Sequence, residues 1–371
     1  MSDEQIIIHR ARVDQLRTKP AADKPLGFGR YFSDHFFATE FNRGNGWHLT
    51  RIEPMRLLQI DPAAICLHYG QEVFEGLKAY AGKNGELYLF RWQKNAERLQ
   101  RSCSRLMMES VSTEFFGRAI KSLVLVDRDW VPRAPGATLY IRPTLIATDP
   151  YLGVRPGDEY AFYVIVGPVG NYYPAGFQPV SIWVSDHDVR AVKGGLGEAK
   201  TAANYAHSLC AQNKATKLGF AQVLWLDAIE HRFVEEVGTM NVFFRFKNGD
   251  VVTPPLAGTI LPGVTRDSVL QILRRWGITA HERPISIHEV LESAQSGELV
   301  EAFGTGTAAV ISPIGLFSYR DKPITIGDRR VGELSQRLYT YLTRYQWGEE
   351  EDVFGWRERI DGLDLEVLAH P

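Results

Sequence analysis

Two of the chain's three Asn-Gly pairs, Asn84-Gly85 and Asn248-Gly249, constrain this chain more than any other feature. Asn-Gly suits the centre of a type I′ turn, where both residues take positive φ, and that turn joins adjacent antiparallel strands. The first pair interrupts the apolar run from Leu77 to Arg91, and the second lies between Val237–Phe246 and Val251–Thr253. A hairpin is therefore expected in each half of the chain. Between them lies the densest Gly/Pro stretch, Gly167 to Gly176, which reads as a boundary. The expected organisation is a small N-terminal α/β domain over 1–170, a linker over 171–179 and a larger domain over 180–371.

Periodicity fills in the rest. Residues up to Leu77 read as a polar leader. Asn95 to Glu109 and Thr113 to Asp129 carry apolar residues at helical spacing: Leu99, Cys103, Leu106 and Met107, then Phe116, Ile120, Leu123 and Val124. Thr138 to Ala147 alternates as a strand, which places Tyr140, Arg142 and Thr144 on one face. Further strands are expected at Tyr160–Val166, Val180–Val184 and Ala221–Leu226, and helices at Ala202–Leu218, Thr265–Trp276 and Ser286–Ser296. The last opens on the capping box Ser286-Ile287-His288-Glu289. No regular βαβ alternation emerges, so the expected class is α+β, mixed α and β in two domains.

Composition excludes several functions. A formal charge of −2 supplies no field for nucleic acid, and no run of about eighteen apolar residues offers a membrane span. The polar, acidic start Met-Ser-Asp-Glu lacks the features of a secretory signal, so a cytoplasmic location is expected. Cys66, Cys103 and Cys210 share no metal-binding spacing, and no metal site is expected.

Gly194-Gly195-Leu196-Gly197-Glu198-Ala199-Lys200-Thr201 comes within one residue of a P-loop. Ala199 replaces the required glycine, and Asp186 to Arg190 before it is not a buried strand, so nucleoside triphosphate binding is not expected. What remains is Lys200 beside a glycine-rich turn at a helix start, followed by Tyr205. A lysine acts as a nucleophile only as the neutral amine. Nothing local distinguishes Lys200 from a solvated surface lysine.

An ordered series of motifs does. Glu198-Ala199-Lys200-Thr201-Ala202-Ala203-Asn204-Tyr205, Glu235-Glu236-Val237-Gly238-Thr239-Met240-Asn241, Ile260-Leu261-Pro262-Gly263-Val264-Thr265-Arg266 and Phe303-Gly304-Thr305-Gly306-Thr307-Ala308 resemble successive signatures of the branched-chain amino acid aminotransferases. Those are fold type IV pyridoxal-phosphate enzymes. The first half continues the resemblance through His68-Tyr69-Gly70-Gln71, Phe74-Glu75-Gly76-Leu77-Lys78-Ala79-Tyr80 and Tyr140-Ile141-Arg142-Pro143, and in all it covers about residues 26 to 347.

The resemblance implies a fold type IV architecture, with a pyridoxal 5′-phosphate site at the interface of two domains. Lys200 would carry the cofactor as a Schiff base and then move the proton between Cα and the cofactor. Glu236 would face the pyridine nitrogen and Tyr205 the 3′ oxygen, supported by Asn204. Arg98, Val264, Thr265 and Thr307 would hold the phosphate, Val264 and Thr265 at the start of a helix whose unpaired amides suit an anion. Tyr69, Phe74, Tyr140, Arg142, Thr239 and Ala308 would line the substrate pocket, Thr239 also touching the cofactor. The implied substrates are branched-chain L-amino acids and 2-oxoglutarate or glutamate, with Arg142 and Tyr140 taking the γ-carboxylate. Leu152-Gly153-Val154 matches a loop that reaches the partner's pocket, which implies a homodimer.

Two departures stand out. Ala202-Ala203 replaces a common Gly-Gly, and Ala309 and Ser312 occupy the positions of the redox CxxC of some members. D-amino acid aminotransferases and aminodeoxychorismate lyases would share Lys200 and Glu236, and Arg142 with Tyr140 argues against both. A cofactor-free binding protein on the same fold is the rival from another class.

Overall fold

A computed structural model of the 371-residue chain describes residues 5–21, 24–170, 176–365 and 368. Residues 171–175 of the expected linker lie outside the described residues. The chain divides into two compact units. One takes Met1–Pro174, Ala199–Ala202 and Arg344–Pro371, and the other takes Ala175–Glu198 and Ala203–Thr343. Lys200 thus belongs to the first unit, although most of its sequence neighbours belong to the second.

The first unit is built on one sheet. Its strands are β1 (Ile7–Ile8), β2 (His35–Asn42), β3 (Gly46–Pro54), β4 (Glu72–Phe74), β5 (Leu77–Ala81), β6 (Leu87–Phe90), β7 (Thr138–Ala147) and β8 (Glu159–Val169). They run β1-β3-β2-β8-β7-β5-β6, a short strand at Arg357–Arg359 pairs with β6, and β4 pairs with β7. All of these pairs are antiparallel except β1 with β3. The first Asn-Gly pair does join an antiparallel hairpin, but not through a type I′ turn: Gly85 takes φ +93° while Asn84 keeps negative φ, and the loop closes with Gly85 N donating to Gly82 O and Gly82 N to Glu86 O.

The polar leader does not exist as such. It contains β1, β2, β3 and α1 (Ile65–Tyr69), because Phe37, Trp47, Ile52 and Ile65 alternate or space into the same buried core. Helices α2 (Trp92–Arg105) and α3 (Thr113–Val126) cover one face of the sheet. Leu99, Cys103, Phe116, Ile120 and Leu123 join Leu139, Ile141, Leu145 and Phe162 there, all fully buried. α2 stops short of Glu109: Met107 takes φ +54°, and Met108 N donates to Cys103 O at 2.9 Å while Met107 N donates to Ser104 O. That is a Schellman closure, and it leaves Met107 exposed.

The second unit folds around β9 (Val180–Val184), β10 (Gln222–Leu226), β11 (Val234–Val237), β12 (Met240–Phe246), β13 (Val251–Thr253), β14 (Ala280–Glu282), β15 (Leu299–Gly306), β16 (Val310–Tyr319) and β17 (Lys322–Thr325). The order is β11-β10-β9-β16-β15-β12-β13-β14, with β17 on β16, and β11 also pairs with β12. The path from β11 to β12 therefore closes on itself around Leu224, Val237, Val242, Phe244 and Phe317. Its helices are α4 (Ala202–Lys217), α5 (Val264–Arg275), α6 (Ile287–Gln295) and α7 (Glu333–Gln346), the first and last sharing end residues with the first unit. Ser286 caps α6 by accepting from Glu289 N at 3.0 Å, the first half of the expected capping box, while the Glu289 carboxylate turns instead to Arg283.

One expected strand proves to be two. Val237 to Phe246 breaks at Gly238, φ +56°, because β11 reverses there to pair with β12, Glu236 opposite Asn241. The break sets Glu236 in a strand and Thr239 in an exposed turn.

Elsewhere, buried Glu301 fixes the start of α7. It accepts from Leu334 N, Ser335 N and Ser335 Oγ and receives Arg245 Nη1 at 2.7 Å. Removing the carboxylate orphans the two buried amides and the Ser335 hydroxyl at once and leaves Arg245 only Glu333, 3.6 Å away. Glu301→Ala is expected to cost about 3 kcal/mol of stability, read as a lower urea midpoint, and Glu301→Gln less. An unchanged Glu301→Ala midpoint would contradict this role.

Candidate active site

Lys200 is held by its backbone. Phe74 N donates to Lys200 O at 3.0 Å, and Lys200 N donates to Ser102 Oγ at 2.9 Å. Thr201 bridges Val73, and its hydroxyl donates to Glu72 O at 2.7 Å. Residues 199–202 therefore act as a short extra edge on β4, tied also to α2. The Lys200 amide, which a P-loop would offer to phosphate, is thus spent on Ser102.

The Lys200 amine is directed at an aromatic face. Its Nζ lies 4.9 Å from the centroid of the Phe74 ring, and the Arg142 guanidinium lies 4.6 Å from the same centroid. Arg142 Nη2 donates to Tyr140 Oη at 2.9 Å, so the strand alternation read from Thr138 to Ala147 does bring these two side chains together. Among the described residues the buried Arg142 Nε has no hydrogen-bond partner. Gly76 makes room for the phenol: a Cβ there would fall 2.2 Å from Tyr140 Oη. Phe28 packs edge-on against the Tyr140 ring at 4.8 Å.

Arg98 is not a solvated residue of a charged helix, as its neighbours suggest; it is 4% exposed. Glu75, fully buried, grips it in bidentate fashion, Arg98 Nε to Oε1 at 2.7 Å and Nη2 to Oε2 at 2.9 Å. Asn95 Nδ2 adds a third donor at 2.8 Å. Burial alone would raise the Glu75 carboxyl; the Arg98 charge and hydrogen bonds, with Lys200 and Asn95, bring it below the usual carboxylate range. Arg98 and Ser102 stand one turn apart on α2, and Ser102 Oγ donates to Arg98 O. One helix thus positions both the guanidinium and the lysine backbone.

In the second unit, Glu236 is 3% exposed rather than an open strand-end acid. Its Oε1 accepts Leu261 N at 2.6 Å and lies 3.1 Å from Arg190 Nη2. The same guanidinium donates to Gly197 O and Thr259 O at 2.8 and 2.7 Å. Asn241, opposite Glu236, donates to Leu261 O, and a Cβ on Gly263 would fall 2.0 Å from Asn241 Oδ1. Only glycine allows that approach. Gly263 is the N-cap of α5 and offers no side-chain cap to the first turn, where Val264 and the buried Thr265 stand. Thr307 and Ala308 form the turn that follows Thr305, the strand partner of Asn241. Tyr205 is half-buried in the first turn of α4, beside Asn204, whose amide donates to Leu196 O at 2.8 Å.

Tyr69 and the loop of Leu152 and Val154 cluster in the first unit, Tyr69 Oη donating to Leu152 O. Val154 is 86% exposed. Asp149 holds this loop by accepting from Arg155 Nη2 and Asp158 N at 2.7 and 2.9 Å. Reading the sequence overlooked Glu75, Ser102 and Arg190, which act on other site residues rather than carry chemistry. Only the acid embedded in Val73-Phe74-Glu75-Gly76 left a visible signal.

The family Amino-transferase class IV matches residues 72–317, and the chain belongs to it. The branched-chain-amino-acid aminotransferase 2 of Bacillus subtilis is 48% identical over 354 residues, 95% of this chain and 97% of that protein. The branched-chain-amino-acid aminotransferase of Mycolicibacterium smegmatis is 46% identical over 90% of this chain and 92% of its own. Among solved structures, the branched-chain amino acid aminotransferase of Escherichia coli superposes with a TM-score of 0.72 at 26% identity, covering 88% of this chain and 99% of that one. The branched-chain aminotransferase of Thermoproteus uzoniensis, solved with norvaline, gives 0.71 at 25% identity over 87% and 99%. Within the class IV family, the chain thus falls with the branched-chain aminotransferases, and its fold is fold type IV.

The Glu75–Arg98 pair has a measurable pH signature. Because the folded Glu75 pKa is lowered, its stabilisation is present above the unfolded value of about 4.3 and is lost as pH falls through the folded pKa. Glu75→Gln, which leaves Arg98 charged in a buried place, is expected to cost about 3 kcal/mol at pH 7. The gap between wild-type and variant urea midpoints should narrow below about pH 4. A gap that stays constant down to about pH 3 contradicts the pairing.

Proposed function

We propose that this aminotransferase moves the amino group of L-leucine, L-isoleucine or L-valine to 2-oxoglutarate, with pyridoxal 5′-phosphate as its cofactor. The observation that carries the reading is the Phe74 ring, which has the Lys200 amine and the Arg142 guanidinium 4.9 and 4.6 Å from its centroid. An apolar ring suits a branched aliphatic side chain, and a cation beside it suits the second carboxylate of glutamate. One face can therefore receive both amino donors.

The donor chemistry of the chain fits the cofactor. An amine, buried acids and guanidiniums, and an α5 start whose glycine cap leaves the first turn without a capping side chain match an aldehyde-bearing ring with a phosphate. The residues that would hold it are Lys200 and Arg98 in the first unit, with Tyr205, Glu236, Thr239, Val264, Thr265 and Thr307 in the second. When bound, the cofactor supplies an aldehyde that accepts the amino group and a ring that accepts electrons from Cα.

The chain's own groups do the rest. Lys200 Nζ would carry the Cα proton away and return it, its travel limited by the two backbone bonds that fix its Cα. Arg98, locked by Glu75, presents a fixed positive charge to phosphate at no further ordering cost. Glu236, oriented by Arg190 and Leu261 N, would present its carboxylate to the ring nitrogen. Tyr140, Arg142 and Phe74 would position the substrate, with Ala308 and Thr239 from the second unit. The exposed apolar residues Tyr69, Leu152 and Val154 support a homodimer in which this loop lines the partner's site. Among the described residues no helix is long and apolar enough to cross a membrane. The location proposed for the enzyme is cytoplasmic.

Purified enzyme supplied with pyridoxal phosphate is expected to show a visible absorption band and to form glutamate from L-leucine and 2-oxoglutarate. Lys200→Ala should lose both the borohydride-fixed cofactor and at least about 10³-fold of the rate. No glutamate from L-leucine, L-isoleucine or L-valine would refute the reading.

A further inference from the structure

The sheet face that carries Tyr140 and Arg142 also carries an acid that no step above uses. Glu72 opens β4 opposite Ile146, and Phe74 follows opposite Thr144. Residues directly opposite on antiparallel strands, and alternate residues along each strand, share a face, so Glu72, Phe74, Thr144, Ile146 and Arg142 line one side. The backbone of Glu72 is fixed by the bond from Thr201, next to Lys200.

Charge makes this placement consequential. Glu72 is half-buried, and burial raises its carboxyl above the usual range while Arg142 draws it back. The other titratable groups facing it are Tyr163 of β8 and Cys66 of α1, both raised by burial first and by the Glu72 charge second. Arg142 is the nearby cation, and among the described residues it forms no direct ion pair; its bonds are those to Tyr140 and to the aromatic rings. A half-buried guanidinium gains from a counter-charge when an aliphatic side chain lies beside it, and it has a surplus one when a carboxylate arrives.

We propose that Glu72 is a specificity-determining residue whose proton follows the occupancy of Arg142: ionised while a branched aliphatic side chain is bound, protonated when a substrate carboxylate docks there. One proton is taken from water with the dicarboxylate and returned on its release. The ionised acid balances Arg142 for the uncharged substrate, and its protonation removes the repulsion that a second carboxylate would meet. The inference rests on the assignment of Arg142 as the carboxylate anchor.

The test uses holoenzyme, wild type and Glu72→Gln, with KM for L-leucine and for 2-oxoglutarate measured from about pH 6.5 to 8.5. In the wild type the KM for 2-oxoglutarate should rise with pH while that for leucine stays level. In Glu72→Gln the 2-oxoglutarate KM at about pH 8 should fall about fivefold and lose its pH dependence, and the leucine KM should rise. A purely structural role would move both KM values together, and that result overturns the inference. Should the variant fail to fold, proton uptake by the wild type decides. In weak buffer with an indicator dye, 2-oxoglutarate should draw protons from solution and 4-methyl-2-oxopentanoate none; equal uptake overturns the proposal. A wild type inactive on branched-chain amino acids overturns the functional reading and this inference together, whereas an active wild type without the KM split overturns this inference alone.

Discussion

The arrangement of this molecule turns on how the backbone of Lys200 is clamped. A reactive amine at the end of four methylenes is useful only if its Cα is fixed, since every degree of backbone freedom is multiplied along the side chain. Here the carbonyl receives the Phe74 amide and the amide is taken by the Ser102 hydroxyl, so a strand and a helix both hold one residue. The segments before Ala199 and after Ala202 belong to the other compact unit, and the four-residue return at 199–202 gives the lysine a rigid seat among first-unit elements.

Around that seat, the chain keeps its buried charges in pairs. Glu75 with Arg98 and Glu236 with Arg190 each set an acid and a base almost out of water, 2.7 and 3.1 Å apart. Buried pairs of this kind add little net stability over apolar packing, but they hold geometry, because breaking one strands a charge. They are suited to residues that must present a charge to a ligand without reorganising. Arg142 differs from them: it rests on aromatic faces with Glu72 at longer range, and this looser setting fits the pocket proposed to take both an uncharged and a charged side chain.

Legibility in the sequence followed the range of the interaction. The hairpins around Asn84-Gly85 and Asn248-Gly249, the bounds of Val180–Val184 and Thr138–Ala147, and the Ser286 cap were readable because each depends on neighbours a few residues away. The strands from His35 to Pro54 read as a polar leader in the sequence, since their burial comes from α3 and β8, more than fifty residues on. The reversal at Gly238 was missed for a similar reason. An apolar run through one glycine reads as a single strand, and only the pairing of Glu236 with Asn241 turns it into two.

By itself, the sequence determined which groups are available and in what order: an amine at 200, acids at 75 and 236, guanidiniums at 98, 142 and 190, and an ordered set of motifs that marks the family. It did not determine their states. Arg98 and Glu236 both read locally as solvated charges, and Lys200 as one lysine among many, because solvation depends on atoms contributed by distant segments. Only the tertiary structure decided which charges are buried, which partners neutralise them and that the Lys200 amine faces the ring that Arg142 also covers. Burial is a property of the assembled core, and no local pattern of residues contains it.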